Sequence, residues 1–195
     1  SLRVVAYGPA GFVAGGGRGN VYTSPNGTTE WTSRTLAASR LSNGVAFGAG
    51  IYCAVGLNGS IRRSMDGVSW TQASSPPDPL TYFQWNTVIH AGGRFWTAGN
   101  QQGIAASADC STWTVEYPKN KVLPTALAMG MITDLAHGRI GATDVLVAVG
   151  QRYTTPGSTV AYTPIIRSSR DAGKTWTERT PVVPPGVPQT VVTVA

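Results

Sequence analysis

Short apolar runs broken by glycine recur along the whole chain. VAYGPAGFVAGG (5–16), VAFGAGIYCAVG (45–56) and VIHAGGRFWTAG (88–99) each read as a strand, a Gly-rich turn and a second strand. A third strand follows each (GNVYTS, SIRRS, GIAAS and, later, YTPIIRSS) and ends on a serine. That serine opens four similar segments: SPNGTTEWT (24–32), SMDGVSWT (64–71), SADCSTWT (107–114) and SRDAGKTWT (169–177). The fourth strand then starts at Trp-Thr. In the fourth repeat LAMG reads as the first strand and VLVAVG (145–150) as the second, with an insertion of about twenty residues between the third and fourth tryptophans.

Four strands in about forty residues form a sheet too small to bury both faces, so the repeats must stack. The pattern predicts an all-β chain, a β-propeller or partial propeller of four blades with four antiparallel strands each. The blades fall at about 1–39, 40–79, 80–122 and 123–188, and QTVVTVA (189–195) reads as the first strand of a fifth. Four blades and one strand rarely close a ring. The expectation is therefore a single propeller domain that is part of a longer chain, or one completed between chains; a tail pairing into blade 1 or 4 is the alternative.

The composition agrees, with 24 Gly, 13 Pro and only 12% charged residues favouring short strands and tight turns over helices. The net charge of +6 would suit an anionic partner, but the arginines are scattered and no recognition motif accompanies them. No specific nucleic acid is expected. Nor is membrane insertion, because no apolar run reaches spanning length, and no signal peptide is visible in SLRVVAYG. Cys53 sits in a strand where its counterparts are small or apolar, and Cys110 in a turn. Occupying different points of the blade, they read as separate thiols rather than a favoured disulfide, with their oxidation left open.

The serine-started segments carry a local logic. An Asp or Asn side chain accepts hydrogen bonds from the amides that follow it, and Ser does the same, folding a hairpin on itself. The residues in those roles are Ser24, Asn26 and Trp31; Ser64, Asp66 and Trp70; Ser107, Asp109 and Trp113; and Ser169, Asp171, Gly173 and Trp176. The tryptophans are expected at the start of each outer strand, mostly buried between blades. On these motifs the chain resembles the Asp-box, or BNR-repeat, proteins, which include sialidases, other glycoside hydrolases, sortilin-like receptors, photosystem assembly factors and many bacteriophage tail and surface proteins. The likeness spans nearly the whole chain and is closest to phage and bacterial repeats at residues 45–71. It implies that the boxes lie on the outer rim, away from the face that holds active sites.

That resemblance supplies an enzyme hypothesis, and the residues argue against it. A sialidase needs an arginine triad, a Tyr–Glu pair, an acid/base Asp and a Phe/Tyr-Arg-Ile-Pro motif, and nothing of the kind precedes Trp31. Glu30, Glu116 and Glu178 all lie beside box tryptophans. A two-carboxylate hydrolase needs paired acids in a cleft; Asp134 and Asp144 are the candidates, with turn residues as the simpler reading. His90 aligns with Phe47 and Tyr7 as a packed strand residue. No catalytic residue, metal site or cofactor is expected, and the alternative is a fragment of an Asp-box hydrolase whose catalytic residues lie elsewhere.

A binding face is expected on the loops after each second strand and between blades. It would use Arg18, Asn58, Gln101, Arg152 and Tyr153, with Tyr82, Phe83 and Trp85 as an aromatic cluster that either meets sugar rings or seals a blade junction. The sequence reading is a non-enzymatic binding or structural module of a virion or extracellular setting, as in a phage tail or surface protein. Its expected partners are a cell-surface glycan, other virion proteins or copies of itself.

Overall fold

A computed structural model describes residues 2–16, 20–35, 42–74, 76, 84–118, 130–154 and 161–181. They form four four-stranded antiparallel sheets, each a simple meander. Blade 1 holds β1 (Leu2–Gly8), β2 (Gly11–Gly16), β3 (Asn20–Ser24) and β4 (Thr32–Thr35). Blade 2 holds β5 (Ser42–Gly48), β6 (Ile51–Gly56), β7 (Ile61–Ser64) and β8 (Thr71–Gln72). Blade 3 holds β9 (Trp85–Ala91), β10 (Arg94–Gly99), β11 (Ile104–Ser107) and β12 (Thr114–Tyr117). Blade 4 holds β13 (Gly130–Ile140), β14 (Thr143–Thr154), β15 (Ala161–Ser169) and β16 (Thr177–Arg179). One 3-10 turn, Leu57–Gly59, is the sole helical element among the described residues. The proposed fifth strand, 189–195, lies outside them.

The first strands pack side by side, β1 against β5, β5 against β9 and β9 against β13, so each blade runs outward from a central axis to its fourth strand. This is the blade arrangement of a β-propeller. Each sheet has a leading face, towards the preceding blade, and a trailing face, towards the next, and the two alternate along every strand. Val13 and Val21 of blade 1 meet Val45, Tyr52 and Ala54 of blade 2. Ile51, Cys53, Val55 and Ile61 of blade 2 meet Val88, Phe95 and Ala105 of blade 3. Trp96, Ala98 and Ile104 of blade 3 meet Leu135, Leu146 and Ala148 of blade 4. The core is thus a series of three interblade junctions of one design.

Three expectations need correction. In the fourth repeat the first strand carries LAHG (135–138), not LAMG: Leu135 pairs with Ala148 as Val45 pairs with Ala54. The two similar tetrapeptides are eight residues apart, and only the pairing register selects between them. Among the described residues part of the extra length appears as longer strands, since β13 has 11 residues and β14 has 12. The four tryptophans all stand immediately before their outer strands, as expected, but their burial is unequal. Trp113 is 3% exposed and Trp31 41%, with Trp70 and Trp176 between. The reason is directional. Trp70 packs on the blade 1–2 core, Trp113 belongs to the 2–3 core and Trp176 packs on the 3–4 core, so each covers the junction with the blade before it. No described blade lies before Trp31.

The cysteines are not separate thiols. Cys53 and Cys110 form a disulfide between blades 2 and 3, with Cα atoms 6.0 Å apart. Repeat register explains it. A Cβ placed on Gly67, in the turn of blade 2, would touch Val13 of blade 1, and one on Gly173 would strike the ring of Trp96. Val13, Cys53 and Trp96 are equivalent second-strand residues, opposite Ala6, Ala46 and Ile89. Cys110 takes the glycine position of its turn and shares its left-handed backbone, φ 55° against 70° at Gly67. The disulfide therefore replaces the contact that the other junctions make between turn glycine and second strand.

Candidate functional site

The Ser-x-Asp turns sit at the outer rim and are closed on themselves. The serine hydroxyl donates to the side-chain oxygen two residues on, at 3.2 Å for Ser24–Asn26, 2.9 Å for Ser64–Asp66, 3.0 Å for Ser107–Asp109 and 2.8 Å for Ser169–Asp171. That oxygen accepts the amides of Val68 and Ser69 in blade 2, of Ser111 and Thr112 in blade 3, and of Thr175 in blade 4. In blade 1 Asn26 does the same for Thr28 and Thr29.

Amide donors favour the ionised carboxylate. The Ser69 and Val68 amides hold Asp66 far below the usual range, and the Thr112 amide lowers Asp109. The Thr175 hydroxyl and amide hold Asp171 at about 2. A folded-state pKa below the unfolded value of about 3.9 stabilises the fold above that value and is lost as pH falls through the folded one. The contribution of these carboxylates to stability should therefore hold steady from neutral pH to about pH 5 and decline from about pH 4 downwards, while His90, whose imidazole burial pushes below its ordinary value, makes stability fall already as pH drops through about 6.5. Asp171→Asn should fold normally at neutral pH, since Asn26 already fills this role and its amide reaches Thr29 Oγ1 at 3.0 Å. The variant should show a shallower acid decline in a denaturation series; an unchanged slope would contradict the turn role.

Of the remaining described acids, Glu30 is exposed and the others are committed. Glu116 pairs with Arg94 at 2.8 Å, and Glu178 with Arg152 and Arg167, both at 3.0 Å. Arg167, buried at the third-strand position of Arg62, also donates to the buried Gln102 at 2.6 Å and lies over the Tyr117 ring. Asp134 and Asp144 do not face one another, because they stand towards opposite ends of the β13–β14 hairpin and not in turns. Asp134 accepts from Thr87 of blade 3 at 3.0 Å, and Asp144 meets His137 at 3.1 Å and Arg139 at 3.4 Å. His90 is a packed strand residue, edge-on to Phe95. Among the described residues no group of three or more His, Cys, Asp or Glu could hold a metal ion, and no helix is long and apolar enough to cross a membrane.

The sequence-derived binding residues divide. Arg18, Tyr82 and Phe83 lie outside the described residues. Trp85 is fully buried in the blade 2–3 core, which gives it the junction-sealing role. Asn58 and Gln101 are turn residues with left-handed φ, Asn58 exposed and Gln101 half-buried. Arg152 is engaged by Glu178, and Tyr153 packs on Tyr162 with ring centroids 6.3 Å apart.

A funnel at the centre was not anticipated. Every first strand carries a β-bulge, between Leu2 and Val4, Ser42 and Gly44, Trp85 and Thr87, and Ile132 and Asp134. The residues between them, Arg3, Asn43, Asn86 and Thr133, line a cavity of about 210 Å³ with Gln84 and Met131. A bulge re-aims its side chain out of the sheet pattern. Glycines permit the close pairing beside it: a Cβ on Gly99 would strike the carbonyl of Gln84, and one on Gly150 that of Met131. Two bulge amides also stitch blades together, Asn43 donating to the Trp85 carbonyl at 2.9 Å and Asn86 to that of Ile132 at 2.7 Å. Gln84 donates to Asn86 Oδ1 at 2.9 Å. Arg3 is exposed and makes no hydrogen bond or ion pair with the described residues. Among the described residues the lining thus holds one cation without a partner, the amides of Asn43, Gln84 and Asn86, and no carboxylate, while the Thr133 hydroxyl donates to the Val149 carbonyl at 3.2 Å. A polar residue two places before the apolar pair in RVVAYG, NGVAFG, NTVIHA and TDLAHG was the sequence signal for it.

No family model matches the chain, and no curated protein matches it. Among solved structures it is similar to "YCF48 bound to D1 peptide", at TM-score 0.58 and 15% identity over 91% of this chain and 68% of that one. It is also similar to YCF48 from Cyanidioschyzon merolae, at TM-score 0.52 and 13% identity over 91% and 84%. These likenesses establish the fold: the chain is built as a β-propeller. The Bombyx mori GH32 β-fructofuranosidase BmSUC1 aligns at TM-score 0.44, with 12% identity over 88% of this chain and 42% of that one, too low to bear on activity.

Proposed function

We propose that this chain is a non-enzymatic binding module, built of Asp-box repeats, that holds an acidic peptide segment of a protein partner at the central funnel. The observation that carries the proposal is the funnel lining, in which Arg3 has no partner among the described residues while Asn43, Asn86 and Gln84 each keep a second amide N–H beyond the bond already named. Asp66, Asp109, Asp171, Glu116 and Glu178 are occupied by turn amides or arginines, and the funnel of this +6 chain is lined by Arg3 and no carboxylate. One solved propeller to which the chain is similar holds a peptide, the ligand class proposed here. The proposed setting is a phage particle or an extracellular surface. The phage-like repeat at 45–71 supports it, and so does the interblade disulfide, which suits an oxidising environment.

A host-surface glycan is the second reading, favoured by the paired rings of Tyr153 and Tyr162 on the extended β14–β15 hairpin. Arrays of acidic and basic peptides beside a glycan array, with a screen of fluorogenic glycosides, separate these readings. Acidic peptides should bind, Arg3→Ala should weaken them about tenfold, and Asp66→Ala should leave them unchanged once folding is verified. Binding confined to glycans and lost in Tyr153→Ala would move the site to the hairpin. Turnover of a glycoside would overturn the non-enzymatic reading.

A further inference from the structure

We propose that Arg152 and Arg167, on the leading face of blade 4, form a binding site for the phosphate or sulfate group of a ligand, which takes the place held by Glu178. The extra length of β14 creates the site. Strands β2, β6 and β10 end at Gly16, Gly56 and Gly99, the equivalents of Gly150, whereas β14 runs on to Thr154. Arg152 lies in that extension and has no counterpart in the described strands of the other three blades. Side chains alternate along a strand, so Arg152 shares a face with Gly150 and Ala148, and Ala148 is paired with Arg167. The extension therefore brings a second guanidinium to a face that already carries one.

Two cations there share one carboxylate. Glu178 Oε2 accepts from Arg152 Nη2 and from Arg167 Nη2, both at 3.0 Å, and no other described acid bonds to either arginine. The donors are not used up: Arg152 Nε and Arg167 Nη1 are buried and have no hydrogen-bond partner among the described residues. Buried N–H groups left unpaired are costly, and further oxyanion oxygens are what these two lack. The two ends of the network differ in freedom. The Arg167 side chain is 1% exposed and is fixed from blade 3, by Gln102 Oε1 at 2.6 Å and by the Tyr117 ring at 4.3 Å, so its guanidinium keeps its place without Glu178. The Glu178 side chain is 46% exposed on β16 and is free to swing into water. A carboxylate presents two oxygens in one plane and leaves two donors unmet, whereas a phosphate or sulfate group presents a third oxygen out of that plane. Phosphate or sulfate therefore fits the site better than a second carboxylate does. The site shares no residue with the funnel and stands whichever ligand the funnel holds.

Calorimetric titration of the whole chain with inorganic phosphate, sulfate and acetate, at constant ionic strength, tests the site. Phosphate and sulfate should bind saturably, and acetate more weakly than either. Glu178→Gln removes the competing charge while keeping the size of the side chain, and should tighten phosphate about tenfold. Arg152→Ala, a change in the strand extension, should weaken phosphate by about tenfold or more, and Arg152→Lys should recover only part of that loss. Thermal unfolding of each variant with and without phosphate checks the fold and reads affinity a second way, since a ligand of the folded state raises the midpoint. Phosphate binding that Arg152→Ala leaves intact, or that Glu178→Gln weakens in a folded variant, would overturn the site. So would acetate binding as tight as phosphate, or no saturable binding of phosphate and sulfate.

Discussion

Trp113→Ala should destabilise the chain by about 4 kcal/mol, in the range for deleting a fully buried large aromatic. Trp31→Ala should cost under about 1 kcal/mol. The two residues occupy the same position in the repeat. The difference lies in what each covers. Trp113 is part of the core between blades 2 and 3, alongside Ile61, Trp85 and Phe95, and its removal leaves a cavity that two disulfide-linked blades cannot collapse. Trp31 faces outward and keeps 41% of its surface in solvent. Trp113→Phe should recover most of the loss, because the indole Nε1 is buried without a partner among the described residues and its removal sacrifices no hydrogen bond. Urea denaturation of the three variants checks the order. Equal costs at Trp31 and Trp113 would show that the tryptophans act within their own hairpins and not across junctions.

Removing the Cys53–Cys110 disulfide should be of similar size. The bond spans 57 residues of sequence, and loop-closure entropy for that length amounts to about 4 kcal/mol. Cys53→Val with Cys110→Gly restores the residue types that blades 1 and 2 use at this contact, Val13 and Gly67. The fold should persist, with the midpoint of denaturation lowered. Cys110→Ala in the same background should be worse by up to about 1 kcal/mol, because position 110 sits at φ 55° and only glycine adopts that conformation without strain. Matched denaturation curves of oxidised wild type and the two double variants test both statements; a double variant as stable as wild type would contradict the stapling role.

Much of this architecture is legible in the sequence, because the turns carry their own chemistry. Ser64, Asp66 and Trp70 fix a hairpin and the start of an outer strand with local hydrogen bonds, so four copies announce four blades without reference to anything distant. What escapes is whatever depends on register between repeats. The disulfide is invisible when Cys53 and Cys110 are compared within their own blades, and becomes evident only when the turn of one blade is laid on the second strand of the blade before it. LAHG could not be told from LAMG until its pairing with the second strand was known. The funnel residues Arg3, Asn43, Asn86 and Thr133 sit in first strands that read as plain apolar runs, and a bulge has no dedicated residue type to mark it. The polar and aromatic residues that stand out in the sequence lie instead in or beside loops, where Arg152 is taken up by Glu178, while Trp85, at the edge of one such loop, is core.

The central claim, that this propeller binds at its axis and uses its Ser-x-Asp rim only to hold itself together, is tested most directly by a hydrogen-exchange footprint of the bound acidic peptide. Slowed exchange is predicted at the bulged starts of the first strands, around Arg3, Asn43, Asn86 and Thr133, with the turns at 64–70, 107–113 and 169–176 unchanged. Protection concentrated in those turns, with the first strands unaffected, would contradict the account.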